Sequence, residues 1–391
     1  MDLFKVYRLW DIEPARGLDT TIWDKNGTEY MDFYGGHAVI SIGHSHPHYV
    51  RMLSEQLARL GFYSNAVQNS LQKDLARRLG KACGYDDYSL FLCNSGAEAN
   101  ENALKLASFH TGRSRILSFC KAFHGRTSGA VAVTDNPAIR SPFNYTGNVT
   151  FIPLDDLNAA ERELSSGSYA GVIIEGIQGV SGIHMPQGSF LRELRSLCNK
   201  YGSVLILDEV QSGYGRTGRF FAHQFSGIRA DIITTAKGMA NGFPIGGVIV
   251  SPDIRPSYGM LGTTFGGNHL ACTAALAVLD IIENEHLIEN AAKKGEYFHA
   301  AFHPSGQPDH ALAGYRGRGL MIGLHLKPEY TGLRERLLFQ EHIFTGAAGA
   351  DVIRLLPPLT ISFETAARFM KSWHRLTAKE EKQPSRRHSH P

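Results

Sequence analysis

The chain has 391 residues, 43% hydrophobic and 20% charged; this ordinary globular usage excludes a disordered chain or a disulfide-stapled miniprotein and argues for two or three domains. Lys and Arg total 40 against 37 Asp and Glu, and residues 377–391 alone carry four basic and two acidic side chains, so the body is almost neutral and has no broad attraction for nucleic acid or anionic lipid. Five scattered cysteines with no C-x-x-C pair, no uninterrupted signal-peptide core and no membrane-length apolar run read as a reduced, soluble, cytoplasmic protein.

Residues 20–33 alternate apolar and polar around Asn26-Gly27, a hairpin pattern. From 66 to 285 short β-branched runs alternate with helical periodicity. The pattern predicts a helix over 97–110, strands near 115–119 and 171–175, a helix over 188–201, and strands at 203–208, 231–235 and 246–250. Such alternation is that of a parallel sheet covered by helices, which takes ligands at the carboxyl ends of its strands. The segment 271–283 is apolar around most of its circumference and reads as a helix buried between layers or subunits. Residues 288–375 mix helix and strand signals as a separate small domain, and AKEEKQPSRRHSHP at the end reads as a disordered tail.

Six segments carry chemistry. In NSGAEANENALKLASFH (94–110), Asn94 or Ser95 caps a helix, and Ser95, Gly96 and Ala97 offer free N–H groups to an anion such as phosphate; an ordinary cap has the same pattern. In KAFHGRTSG (121–129), Phe123 and His124 suit a planar ring and Arg126 a carboxylate, or they are a core Phe and a surface Arg. VLILDEVQSGYGRTGR (204–219) delivers Asp208 and Glu209 at a strand's end, where carboxylates either face a ligand or cap a turn. Gln211, Arg216 and Arg219 follow, to hold polar ligand atoms or to form the turn itself. Lys237 ends ADIITTAK between Ala236 and Gly238; a lysine desolvated there, near other charge, becomes a neutral amine able to form a Schiff base with an aldehyde. LGTTFGGNHLAC (261–272) sets two threonine hydroxyls before a helix, a second phosphate site or a plain helix start. Arg354 interrupts the apolar DVIRLLPPLTIS (351–362), and its charge needs a partner, either an internal acid or a ligand's carboxylate. Together these are the parts that pyridoxal phosphate requires: a lysine for its aldehyde carbon, an anion for its ring nitrogen, and helix-end donors for its phosphate.

The strings SGAEANENALK, AFHGRT, LDEVQSGYGRTG, TTAKGMANGFPIGG and TTFGGN, in this order and spacing, closely resemble the class III (ornithine/acetylornithine-type) aminotransferases of pyridoxal-phosphate fold type I, over residues 18 to 365. AFHGRT and RLLPPLTIS look most like the acetylornithine and succinylornithine enzymes of arginine metabolism. The resemblance implies an α/β fold: a large domain (51–283) with a mostly parallel seven-stranded sheet, and a smaller α+β domain built from both termini (1–50 and 284–376), followed by the tail 377–391. It implies pyridoxal 5'-phosphate as cofactor and no metal. Lys237 would form the internal aldimine and shuttle the proton, Asp208 pair with the pyridinium nitrogen, Gln211 reach the ring oxygen, and Phe123 stack on the ring. Ser95, Gly96 and Ala97 would bind the phosphate with Thr264 of the partner subunit, which makes the protein a homodimer with shared sites. Arg354 would hold the carboxylate beside the reacting carbon of glutamate or 2-oxoglutarate, and Arg126 the far one.

Two departures stand out. The family's EPIQGE reads EGIQGV here (175–180), so Val180 stands where a glutamate normally neutralises the near arginine. His37 occupies a position where relatives place an aliphatic or aromatic pocket residue, as a substrate contact or as a loop histidine. His44, His46 and His48 in GHSHPH lack the company of a zinc site. The expected reaction is a ping-pong transfer of the terminal amino group of an N-acylornithine to 2-oxoglutarate. Rivals are another ω-aminotransferase, acting on ornithine, lysine or 4-aminobutyrate, and a non-catalytic dimeric homologue. A nucleotide-binding oxidoreductase would need G-x-G-x-x-G between a first strand and its helix, and none stands there.

Overall fold

The computed structural model describes residues 1–306 and 309–378. Most of the expected tail, 379–391, lies outside the described residues. Three strands open the chain: β1 (Pro14–Leu18), β2 (Thr21–Asp24) and β3 (Glu29–Phe33). Seven follow: β4 (Ser89–Cys93), β5 (Arg115–Phe119), β6 (Val149–Ile152), β7 (Tyr169–Glu175), β8 (Val204–Asp208), β9 (Ile232–Thr235) and β10 (Gly246–Val250). The last four are β11 (Leu312–Arg318), β12 (Met321–Leu326), β13 (Ile343–Ala348) and β14 (Val352–Leu355).

The middle seven strands form one sheet in the order β4-β10-β9-β8-β7-β5-β6, parallel except for β10, which is antiparallel to both neighbours. Every residue of β7 and β8 is buried, as expected for central strands covered on both faces and written as continuous apolar runs. The helix Gly96–Thr111 packs against β7, β9 and β10, while Gly188–Tyr201 turns Phe190, Leu191, Leu194, Leu197 and Cys198 inward. The helix His269–Asn284 is buried along almost its entire length and packs against Pro47–Arg59 and Ser70–Cys83; that is why its sequence has no polar face. The helix Pro47–Arg59 runs through the domain boundary expected at residue 50. Among the described residues no helix is long and apolar enough to cross a membrane.

The second sheet, β1-β2-β3-β13-β14-β12-β11, draws on both ends of the chain, joined where β3 runs parallel to β13. Its first hairpin follows the Asn26-Gly27 pattern. Asp24 Oδ1 accepts from the amides of Asn26 and Thr28, each at 2.9 Å, and Gly27 supplies the left-handed residue at φ 84°.

The glycine-rich stretch 213–218 after β8 packs at the junction between the two sheets. Arg216 is 2% exposed and donates to the carbonyls of Leu320 and Pro357, and burial pushes its pKa down to about 9. A side chain at Gly319 would sit 2.6 Å from the backbone of Thr217, so only glycine permits this approach. Arg219, the other arginine of that loop, donates to the carbonyl of Gln224 and covers the ring of Phe225.

Candidate active site

The ends of β4, β5, β7, β8 and β9 converge on one edge of the large sheet, where the connections open a cavity of about 400 Å³. Beyond β4, Ser95 is the N-cap of the helix Gly96–Thr111, its hydroxyl accepting from Glu98 N at 3.1 Å. Asn94, the alternative cap, is instead tied to the Glu98 carboxylate. The amides of Gly96 and Ala97 have no acceptor in the first helical turn and line the cavity. A Cβ at Gly96 would lie 2.6 Å from Val210, so this end of the helix can come this close only as glycine. The result is an anion cradle formed by backbone donors and the helix dipole.

Asp208 ends β8, 4% exposed and held from three sides. Its Oδ2 accepts from His124 Nδ1 and Asn100 Nδ2, both at 2.8 Å, and its Oδ1 from Val210 N at 2.9 Å. Asn100 is itself fixed by Thr234, whose hydroxyl donates to Asn100 Oδ1 at 2.7 Å. The neighbouring Glu209 points the opposite way, into protein. Its oxygens accept from Ser212 Oγ, from the amides of Ala222 and His223, and from His223 Nδ1, so the strand-end pair divides into one cavity carboxylate and one structural carboxylate.

Lys237 follows β9 by two residues at φ 44° and lines the cavity with Asp208. Burial lowers the pKa of its amine; Asp208 and Glu175 act to raise it and Arg354 to lower it further. Phe123 and His124 form another part of the wall, and Arg126 is exposed at its rim. Gln211 lines the cavity as well, with one N–H donated to the carbonyl of His37 at 3.1 Å, while its Oε1 is buried without a partner.

Besides Glu209, Arg216 and Arg219, three further sequence-predicted residues lie outside the cavity lining. Arg354, on β14, is 3% exposed and donates to the carbonyls of Ala347 and Gly179, each at 3.0 Å. Neither contact is the internal acid that a structural role would supply. His37 is exposed at φ 68°, its ring hydrogen-bonded to the Tyr34 hydroxyl; burial on one side, then the charges of Arg354 and Lys237, lower its pKa. Thr264 is exposed and away from this cavity, whereas Thr263 is used internally, accepting from Asn94 Nδ2 and Gly266 N. The histidines of GHSHPH each meet a separate acid: His44 with Asp32, His46 with Glu285, His48 with Asp280.

The sequence did not single out Asn100, nor Glu175 as a cavity group. Asn100 stands on the buried face of its helix, a polar residue among alanines and leucines, and that was the only available signal. Glu175 is buried at the end of β7, and burial, opposed by His124 and reinforced by Asp208, raises its pKa to about 7.

A half-buried lysine facing a carboxylate, an aromatic wall and an anion cradle, together with the unpaired Gln211 oxygen, form a donor set that fits pyridoxal phosphate. The family described as aminotransferase class-III matches residues 7–376. An acetylornithine aminotransferase of Bacillus cereus is 40% identical over 365 residues, covering 93% of this chain and 94% of that one. Among solved structures, the ornithine aminotransferase of Toxoplasma gondii superposes with a TM-score of 0.88 at 28% identity, covering 96% of this chain and 93% of the other. An acetylornithine aminotransferase from Elizabethkingia anophelis gives 0.83 at 30% identity, with 95% of both chains covered. The chain belongs to the class-III aminotransferases and uses their cofactor, pyridoxal 5'-phosphate.

Proposed function

We propose that this enzyme transfers the terminal amino group of an N-acylornithine, N-acetylornithine first, to 2-oxoglutarate in the service of arginine biosynthesis, and that it works as a homodimer. The observation that carries the substrate assignment is the pair of arginines around Lys237: a buried Arg354 with only carbonyl partners and an exposed Arg126 at the rim. One suits a carboxylate beside the reacting carbon, the other a carboxylate at the far end. The names of the curated relatives point the same way. Steady-state comparison of N-acetylornithine, N-succinylornithine and ornithine tests it. An acylated donor should have the highest kcat/KM; preference for free ornithine would overturn the reading in favour of an ornithine aminotransferase.

Lys237 would hold the cofactor's aldehyde carbon, Asp208 its ring nitrogen and Gln211 its ring oxygen. Phe123 would cover its face, while Ser95, Gly96, Ala97 and Thr264 of the partner subunit would hold its phosphate. When bound, pyridoxal phosphate supplies an electron sink for the pair left as a proton leaves the amine-bearing carbon. Once the substrate amine has displaced it, Lys237 Nζ is free to take that proton and return it on the cofactor side. The two half-reactions then use one base and one cavity in turn, which is ping-pong order.

Asp208 needs its charge to keep the ring nitrogen protonated, and the Asn100–His124 clamp holds it in place. Asp208→Asn should preserve the fold and reduce kcat by at least about a hundredfold, the scale of losing one preorganised electrostatic contact. Wild-type-like turnover would sink the assignment.

The dimer reading draws support from exposed apolar residues on and around the helix Pro47–Arg59 and the loop before the helix His269–Asn284, among them Leu57, Phe62, Tyr63 and Phe265. If Thr264 completes the partner's phosphate site, mixing Lys237→Ala with Thr264→Ala subunits creates hybrids with one doubly damaged and one intact site. Their activity should exceed that of both parents. Activity equal to the parental average, with subunit exchange verified, rules out sharing.

A further inference from the structure

The turn after β7 connects parts of the site that otherwise belong to different sheets. Glu175 Oε1 accepts from Phe123 N and Oε2 from Gly179 N, both at 3.0 Å. The carbonyl of the same Gly179 accepts from Arg354. A side chain at Gly179 would collide with Gln211 Oε1, and Gln178 pins the turn from outside by donating to Cys120 O at 3.0 Å. One buried carboxylate thus holds the residue of the aromatic wall with one oxygen and, with the other, the peptide that seats the arginine.

We propose that Glu175 is a positioning residue that sets the Arg354 guanidinium through Gly179, and so governs affinity for substrates with a carboxylate beside the reacting carbon. The inference rests on the role given to Arg354 above. An amide at position 175 can accept from only one of the two N–H groups and presents its own donor to the other. The turn then shifts, and Arg354 loses a fixed partner for its guanidinium.

The charge on Glu175 acts as well. It is faced by His124 from the loop after β5, Asp208 from β8, Lys237 beyond β9 and Arg354 from β14. With its pKa raised to about 7, it is largely protonated below neutrality and ionised above. A dicarboxylate bound next to it favours the protonated form, so the affinity falls as pH rises through that value.

Glutarate, a dicarboxylate with no reacting carbonyl, is the probe, titrated calorimetrically into the holoenzyme between about pH 6 and 8.5, a range chosen to bracket the raised carboxyl. Glu175→Gln should weaken glutarate binding and raise KM for 2-oxoglutarate by about ten- to a hundredfold, the scale of a hydrogen bond to a charged group. The acylornithine half-reaction should fall far less. The affinity step near neutrality should vanish, while any contribution from His37, His124 or Lys237 persists in both proteins. Unchanged glutarate binding, a retained step or equal loss in both half-reactions would overturn the proposal. If Glu175→Gln fails to fold, Glu175→Asp keeps the charge but spans only one contact; weaker glutarate binding with the step intact supports the coupling, and full affinity refutes it. Because the glutarate arm does not depend on the amino donor, a wrong acyl group would leave this test valid.

Discussion

Lys237→Ala is expected to remove nearly all turnover, at least about 10⁴-fold, because one amine has two tasks and neither has a substitute. Lys237 is the lysine among the residues that line the cavity. Its desolvated amine is biased toward the neutral, nucleophilic form, and the Asp208 carboxylate faces it across the same space. Borohydride reduction of the wild-type holoenzyme should fix the cofactor on the peptide containing Lys237, and mass spectrometry of the variant should find no such adduct. An adduct on a different lysine would displace the assignment. Circular dichroism of the variant separates this outcome from a folding failure, since the anion cradle at Ser95–Ala97 does not depend on Lys237.

Much of that site was legible because parallel strands are written plainly. VLILD and IITT are short apolar runs between polar or small residues, and whatever follows them emerges at the ligand-binding edge. Asp208 and Lys237 could therefore be named from the sequence. Which member of the Asp208-Glu209 pair faces the cavity could not be read from the strand pattern; the family resemblance picked Asp208. Adjacent residues at a strand end point to opposite sides, and the choice depends on Ser212 and His223, which hold Glu209, and on Tyr85, 138 residues from His223, which holds that histidine in turn. Arg216 stayed open between ligand and turn for a similar reason. Its glycine-rich surroundings look like a ligand loop, but its partners, Leu320 and Pro357, come from more than a hundred residues downstream. The reversed direction of β10 and the parallel joining of β3 to β13 are likewise long-range pairings with no local signature. Thr263 and Thr264 look alike in the local pattern, and only the family resemblance chose Thr264; Asn94 and the turn to Gly266 occupy the first and leave the second exposed.

The shapes of the two substrates force a division of labour between the arginines. In an acylornithine the reacting amine is terminal, so its only carboxylate lies at the far end, where Arg126 stands exposed at the rim. In 2-oxoglutarate the reacting carbon sits beside one carboxylate, which on the proposed reading would need Arg354, and the second would again reach Arg126. Arg126→Ala should therefore damage both half-reactions, and Arg354→Ala the 2-oxoglutarate half-reaction far more than the other. Loss of a charge-assisted bidentate pair costs about 2–5 kcal/mol, or roughly 30- to several-thousand-fold in kcat/KM. Val180 sharpens the contrast. It lines the cavity beside Gly179, whose carbonyl holds Arg354, and carries no charge with which to neutralise it. The acylornithine chain must pass a guanidinium whose observed partners are two backbone carbonyls, so removing that charge should leave its half-reaction unchanged or faster. Single-turnover stopped-flow on each half-reaction separates the cases. Equal damage to both by Arg354→Ala would refute the division and assign the buried arginine a contact with the amino donor as well.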